Sequence, residues 1–227
     1  MEINISLKST TKLYIKLFAL VLLLHFLTLF VKHGLGFETA KGFVPLFHMD
    51  FERNIPTLFS VFIILQLSAI CMVIGLSVAR DRKYWLILWL VFAFLAIDEF
   101  ASIHERLIDP VREVFNTSGV FYFAWIIPYS LATLILCIYL LPWLIKLPKS
   151  TKYGFVFSGS LYLSGVLLLE GIGGWHHENN ASQKNLVYDL ITTAEESCEI
   201  IGLLVFFYFS VKYLITNAGL KRIQLKE

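Results

Sequence analysis

Three short stretches carry most of the side chains able to do chemistry: Asp98-Glu99-Phe-Ala-Ser102-Ile-His104-Glu105-Arg106, Glu170-Gly-Ile-Gly-Gly-Trp-His176-His177-Glu178 and Glu195-Glu196-Ser-Cys-Glu199. Carboxylates mixed with imidazoles suit Zn, Fe or Mn. One or two carboxylate-bridged divalent ions would use about the ligand set offered by Asp98, His104, Glu105, Glu170, His176 or His177, Glu196 and Glu199. At about 3.6 residues per turn, Asp98, Ser102 and Glu105 share a helix face, and Glu196 stacks on Glu199 with Asp189 and Thr192 on the turns before. Glu99, Glu178 and Glu195 fall off those stripes, which leaves Glu99 or Glu195 free to serve as a general base. Glu170 and His177 align only if a helix survives Gly171, Gly173 and Gly174. A break there, which would let His176 or His177 fold back, is the expectation.

These stretches sit at the ends of apolar runs too short to cross a bilayer alone. The uncharged run Tyr84–Ile97 has 14 residues, Tyr153–Leu169 has 17 and Ile200–Val211 has 12, whereas a spanning helix needs about 20. The acids must therefore enter the membrane with their helices, where an unpaired charge costs several kcal/mol and marks a functional site by default. Helical rise puts them at one level: roughly 21 Å above Tyr84 for Asp98, roughly 26 Å above Tyr153 for Glu170, and roughly 20 and 24 Å above Lys212 for Glu199 and Glu196. Carboxylates gathered from three helices at one depth repel one another unless cations or protons lie between them.

The chain that must position them has 227 residues, 57% hydrophobic and only 16% charged. A single soluble core cannot hide that much apolar surface; six spanning segments consume it. The expected architecture is all-α, one domain over residues 1–227, with spans near 13–32, 57–79, 84–106, 119–145, 153–174 and 187–214. No small-residue cleavage site follows Val31, so the first segment reads as a retained helix rather than a signal peptide. A near-neutral net charge of +2 argues against a nucleic-acid binder, which would need a basic face. Cys71, Cys137 and Cys198 all lie in apolar stretches and form neither a disulfide framework nor a CxxC site.

Of the 19 basic residues, 13 fall at one set of segment ends: Lys8, Lys12, Lys16, Arg80, Arg82, Lys83, Lys146, Lys149, Lys152, Lys212, Lys221, Arg222 and Lys226. The positive-inside rule makes that side cytoplasmic, with both termini in. Of the 17 acids only Glu2, Asp81 and Glu227 share it, so the acids and all six histidines concentrate toward the outer side of a multi-pass plasma (inner) membrane protein. In the loop from Phe47 to Thr57, Asn54 or Thr57 can cap the second span and Pro56 fits its first turn. The same loop could instead be a lid over the acidic site, with His48, Asp50 or Glu52 reaching a metal or substrate. His25 reads as a hydrogen-bonded structural imidazole within the first span.

The Asp98-Glu99-x-x-Ser102-x-His104-Glu105 motif, together with Asn54-Ile-Pro56-Thr57 and Glu195-Glu196-x-x-Glu199, resembles uncharacterised bacterial multi-pass membrane proteins, a likeness spanning the second to sixth helices without an assigned activity. The acid and histidine groups at one end of a bundle are similar in chemistry to ferritin-like di-metal bundles and to ceramidase-like intramembrane metallohydrolases. The Glu-x-x-His motif of the first and the late paired histidines of the second have no counterpart here. Two function classes follow. One is a membrane-embedded metalloenzyme, a metal-dependent hydrolase or a di-iron-type oxidoreductase, that takes a lipid or other apolar substrate from the bilayer. The other is a non-enzymatic subunit bound to partners in a larger membrane complex, or a cation or proton pathway. A pathway needs polar residues through both leaflets, and the inner halves offer only Gln66, Ser68, Ser130 and Thr133.

Reporter fusions after Lys152 and after Glu227 should both read cytoplasmic; a signal from the opposite side at either position would reverse the assignment of sides.

Overall fold

The structure is a computed structural model that describes residues 6–217. The terminal charges Glu2, Lys221, Arg222, Lys226 and Glu227 lie outside the described residues. The fold is all-α. Helix α1 (Leu7–Gly34) is followed by the short α2 (Phe43–Phe47), then α3 (Ile55–Ser77), α4 (Arg82–Ala101), the short α5 (Ile103–Arg106) and α6 (Ile108–Phe115), α7 (Ile126–Leu144), α8 (Lys149–Asn179) and α9 (Leu186–Thr216). Six of them, α1, α3, α4, α7, α8 and α9, are long and apolar enough to cross a membrane. Helices are the form such sequences must take in lipid, where each backbone N–H and C=O needs a partner within its own segment.

Local chemistry sets the boundaries. Asn54 caps α3, its Oδ1 accepting from the Thr57 N–H at 3.1 Å with Pro56 in the first turn, and Asn185 caps α9 by accepting from the Tyr188 N–H at 3.0 Å. Helix α4 ends at Ala101 instead of running to 106, because Ser102 adopts the left-handed conformation at φ 50°, ψ 50°. The segment expected from 119 becomes a 3₁₀ turn over Gly119–Phe121, and α7 proper begins at Ile126.

The expected glycine break in α8 does not occur. Cβ atoms added at Gly171 and Gly174 would come within 3.1 Å of the Val120 carbonyl and of the Phe123 ring, so that stretch lies flush against the 119–123 turn. Packing holds a helix that propensity alone would weaken. Upstream, Ser164–Leu169 forms a π turn inside α8, and Phe30–Gly34 closes α1 with another. Both π segments border polar clusters described below, a placement common for π bulges.

The two ends of the bundle differ in kind. Trp85 is fully buried at the start of α4, with Trp143, Phe155 and Tyr213 around it at ring separations of 5.2, 5.9 and 4.9 Å. This aromatic knot lies at the end that bears Arg80, Arg82, Lys83, Lys146, Lys149 and Lys152. Leu67, Cys71, Ile74 and Ile200 extend it as a dry core along α3 and α9. Toward the other end the helices part.

Glycines bring α8 and α9 into close contact. A Cβ at Gly202 would approach the Tyr162 nitrogen to 2.9 Å and the Ser158 carbonyl to 3.0 Å, and one at Gly165 would lie 2.8 Å from both the Glu195 carbonyl and the Glu199 side chain. Small residues at such crossings let helix backbones approach. Gly159, on the same helix, has open space beside it. Gly165→Ala and Gly202→Ala should each cost about 1–3 kcal/mol through overpacking, whereas Gly159→Ala should leave thermal unfolding in detergent almost unchanged.

Candidate functional site

Where the helices part, a cavity of about 360 Å³ opens among α4, α7, α8 and α9 under the loop that precedes α3. Nine carboxylates line it: Asp50, Glu52, Asp98, Glu99, Glu105, Glu170, Glu195, Glu196 and Glu199. Against them stand His104, His177 and Lys184. The lower wall is apolar, with Leu88, Phe92, Phe155, Leu203 and Phe206 leading toward the aromatic knot. Acids from four helices and a loop thus share a chamber whose other half is hydrocarbon-like.

The left-handed Ser102 lets the chain turn back on itself above α4. Asp98 Oδ1 then accepts the His104 backbone N–H at 2.9 Å, and Oδ2 lies 3.1 Å from His104 Nδ1. The Tyr129 hydroxyl donates to Asp98 Oδ1 at 2.8 Å. Asp98 is therefore an orienting group, holding the imidazole with its Nε2 free. The helical stripe expected to join Asp98, Ser102 and Glu105 is broken at Ser102, so Glu105 reaches the cavity from α5 rather than from α4. The Ser102 hydroxyl is buried without a partner among the described residues.

Glu170, directly after the π turn of α8, accepts the Trp125 indole N–H at 2.8 Å and lies at hydrogen-bonding range of the Glu195 carboxyl. Two facing carboxyl groups require a shared proton or a cation. Glu99, Glu196 and Glu199 receive no protein donor among the described residues, although all three line the chamber. His177 also lines it, ringed by Tyr122, Phe123 and Tyr188, and its buried Nδ1 has no partner among the described residues. His176 does not line the cavity; its Nε2 meets Asn185 Oδ1 at 3.0 Å, at the cap of α9.

The loop before α3 caps that helix and also lies over the cavity. Asn54 caps the helix and also donates to the His48 carbonyl at 2.6 Å, while Met49, Asp50 and Glu52 roof the cavity. Glu52 Oε2 is buried without a partner among the described residues. Burial first, then the Glu99 and Glu105 charges, push the Glu52 carboxyl up to about 7. For His104 burial works the other way, but the Asp98 hydrogen bond and charge, with Glu99 and Glu52 behind them, outweigh it and raise the imidazole to about 9.

Beside this chamber lies a cluster that the sequence did not disclose as such. Asp189 is fully buried; its Oδ2 accepts from Lys32 at 2.7 Å, lies 2.6 Å from His33 Nε2 and is 3.3 Å from His48 Nε2. The Asp50 N–H donates to His48 Nδ1 at 3.2 Å, so a neutral His48 carries its proton on Nε2, toward Asp189. Asp50 also accepts from Lys184 at 2.6 Å. His48, Asp50 and Asp189 bring ligand atoms within 4.8 Å of one another, close enough to hold a metal ion, and among the described residues they are the group so gathered. The expected ligands Asp98, His104, Glu105, Glu170, Glu196 and Glu199 share the larger chamber, but among the described residues no three of them bring ligand atoms within that distance of one another. The signal for the second cluster was Lys32-His33, a basic pair directly beyond the first apolar run, on the side where the acids concentrate.

His25 is hydrogen-bonded within the bundle. It accepts the Met49 N–H on Nδ1 at 3.1 Å, which leaves Nε2–H to donate to Thr193 Oγ1 at 2.8 Å, and Thr193 in turn donates to the Asp189 carbonyl.

Residues 14–213 match the family described as Domain of unknown function (DUF8692), and the chain belongs to that family. Neither the curated proteins nor the solved structures contain a match.

The His104 shift has a consequence in metal-free protein. A histidine raised in the folded state stabilises the fold fully below its ordinary value of 6.5, and that contribution is lost as pH rises through about 9. Chelator-treated wild type should therefore lose melting temperature between these two pH values. His104→Asn should flatten that part of the profile.

Proposed function

We propose that this protein is a membrane-embedded metal-binding protein, and that it is a metalloenzyme acting on a lipid or other apolar substrate at the acidic cavity, which faces the outer side of the plasma (inner) membrane. The observation that carries this reading is one chamber holding unpaired carboxylates above and an apolar wall below. Glu99, Glu196 and Glu199 lack protein donors among the described residues, and carboxylates kept ionised in a low-dielectric site call for a cation beside them. His48, Asp50 and Asp189 could also hold an ion, but Lys32, His33 and Lys184 already compensate their acids. The larger chamber has nine carboxylates and far fewer cationic partners, so its demand for positive charge is the greater.

On this reading Glu170, Glu196, Glu199 and the Nε2 of His104 are the first candidates to hold one or two divalent ions, with Glu105 and His177 at the margin. Zn or Fe suits the mixed carboxylate and imidazole donors, and Mn would be accepted. An ion there would supply Lewis-acid activation of water, or oxygen chemistry if iron. Asp98 orients His104 through Nδ1, the arrangement by which carboxylates commonly fix a ligating imidazole. Glu195 and Glu99 lie within the same chamber and are placed to take a proton from water or substrate. Trp125 and Tyr129 hold Glu170 and Asp98 in place from α7. A transmembrane conduit is the weaker reading, because the wall beneath the acids runs into the aromatic knot.

Metal content of protein purified without chelators tests this. Wild type should carry stoichiometric Zn, Fe or Mn, and Glu196→Gln combined with Glu199→Gln should abolish it. Glu178→Gln should keep the metal, since a glutamine carbonyl can still accept the Gly119 N–H that Glu178 takes at 2.6 Å. Wild type free of metal would overturn the proposal and favour protons shared among the acids.

A further inference from the structure

The apolar half of the chamber is not closed. Cys137, near the middle of α7, lines the cavity and is at the same time exposed on the outside of the bundle. Gly159 on α8 lines it too, and a Cβ added there would meet nothing within 4 Å. Helix α7 is fastened at its two ends. At the aromatic knot Trp143 meets Trp85 at 5.2 Å between ring centroids, and at the acidic end the Tyr129 hydroxyl reaches Asp98 at 2.8 Å. Between those fastenings its flank is exposed. An opening in an apolar flank midway along a membrane-spanning helix faces hydrocarbon, so what occupies it is a hydrocarbon chain.

We propose that the cavity opens sideways to the bilayer beside α7, at the level of Cys137 and Gly159, and that it takes a single-chain amphiphile from the membrane. The chain lies in the lower half against Leu88 and Phe206, and the polar head sits among the carboxylates above. From Leu88 to Asp98 along α4 is about 15 Å by helical rise, which matches one medium-length acyl chain in extended form. The inference rests on the proposed function for what happens at the head, but the chain site stands on the opening and the apolar wall alone. Such a division, a broad apolar surface with a few polar groups that fix orientation, is usual for small-molecule sites.

The probe is a monoacylglycerol with a diazirine at mid-chain, photolysed in phosphatidylcholine vesicles containing the full chain, with adducts mapped to residues. Adducts are expected at Leu88 or Phe206 as well as on the exposed Ile138, and excess unlabelled monoacylglycerol should suppress the first set only. Gly159→Leu and Gly159→Trp, which fill the opening, should cut interior adducts by about tenfold or more, since each methylene kept out of an apolar site costs several-fold in affinity. Ile138 adducts and metal content should not change in folded Gly159→Leu protein. Adducts confined to exposed residues, or interior adducts that neither competitor nor substitution reduces, overturn the proposal. The same labelling on the Glu196→Gln, Glu199→Gln protein separates the two claims. Interior adducts in protein that never held metal would sustain the amphiphile site while the metal reading falls; full metal with no interior adducts would do the reverse.

Discussion

Everything distinctive about this bundle follows from carboxylates held in a place that solvates them poorly. Four helices and a loop bring nine acids to a single chamber, and the nitrogen bases that line it are His104, His177 and Lys184. Taking a carboxylate out of water costs several kcal/mol even after relaxation, and proteins spread or pair such groups unless they serve a purpose. Asp189 shows how this chain treats an acid whose role is structural: it is fully buried but takes Lys32 and His33 at 2.7 and 2.6 Å. Glu99, Glu196 and Glu199 have no comparable partner among the described residues. The contrast within one molecule separates an ion-paired post from acids that share a chamber without one.

The fold serves that chamber by dividing labour between its ends. Aromatic packing around Trp85 fixes the helices where the sequence is basic, and the glycines at 165 and 202 let α9 lie close against α8, where Glu195 faces Glu170. Two departures from regular helix act at the acids themselves. The left-handed Ser102, which costs roughly 1–2 kcal/mol for a residue with a Cβ, lets Asp98 cap and orient His104. The π turn at Ser164–Leu169 immediately precedes Glu170. Local strain of this kind persists where surrounding structure over-determines it, and it gathers at functional sites.

Six helices and the acid-bearing end were legible in the sequence because hydropathy and helical rise act over many residues at once, so errors at single positions cancel. Details governed by one residue were not legible. Ser102 carries no signal of a left-handed backbone, and the stripe drawn from Asp98 to Glu105 therefore crossed a helix end. The three glycines of α8 suggested a break, yet contact with the 119–123 turn kept the helix intact and carried His177 to the cavity and His176 to the α9 cap. The Lys32, His33, His48 and Asp189 cluster joins positions up to 157 residues apart, a pairing that periodicity within a segment does not report. Lys184 on Asp50 and Trp125 on Glu170 are of the same kind.

The most direct test of the account is to locate the ion. In crystals of protein purified without chelator, an anomalous difference map collected at the absorption edge of the metal found in solution should show one or two peaks within coordination range of Glu196 and Glu199, between α4, α8 and α9. A cavity without any such peak, or a single peak between His48, Asp50 and Asp189, would contradict it.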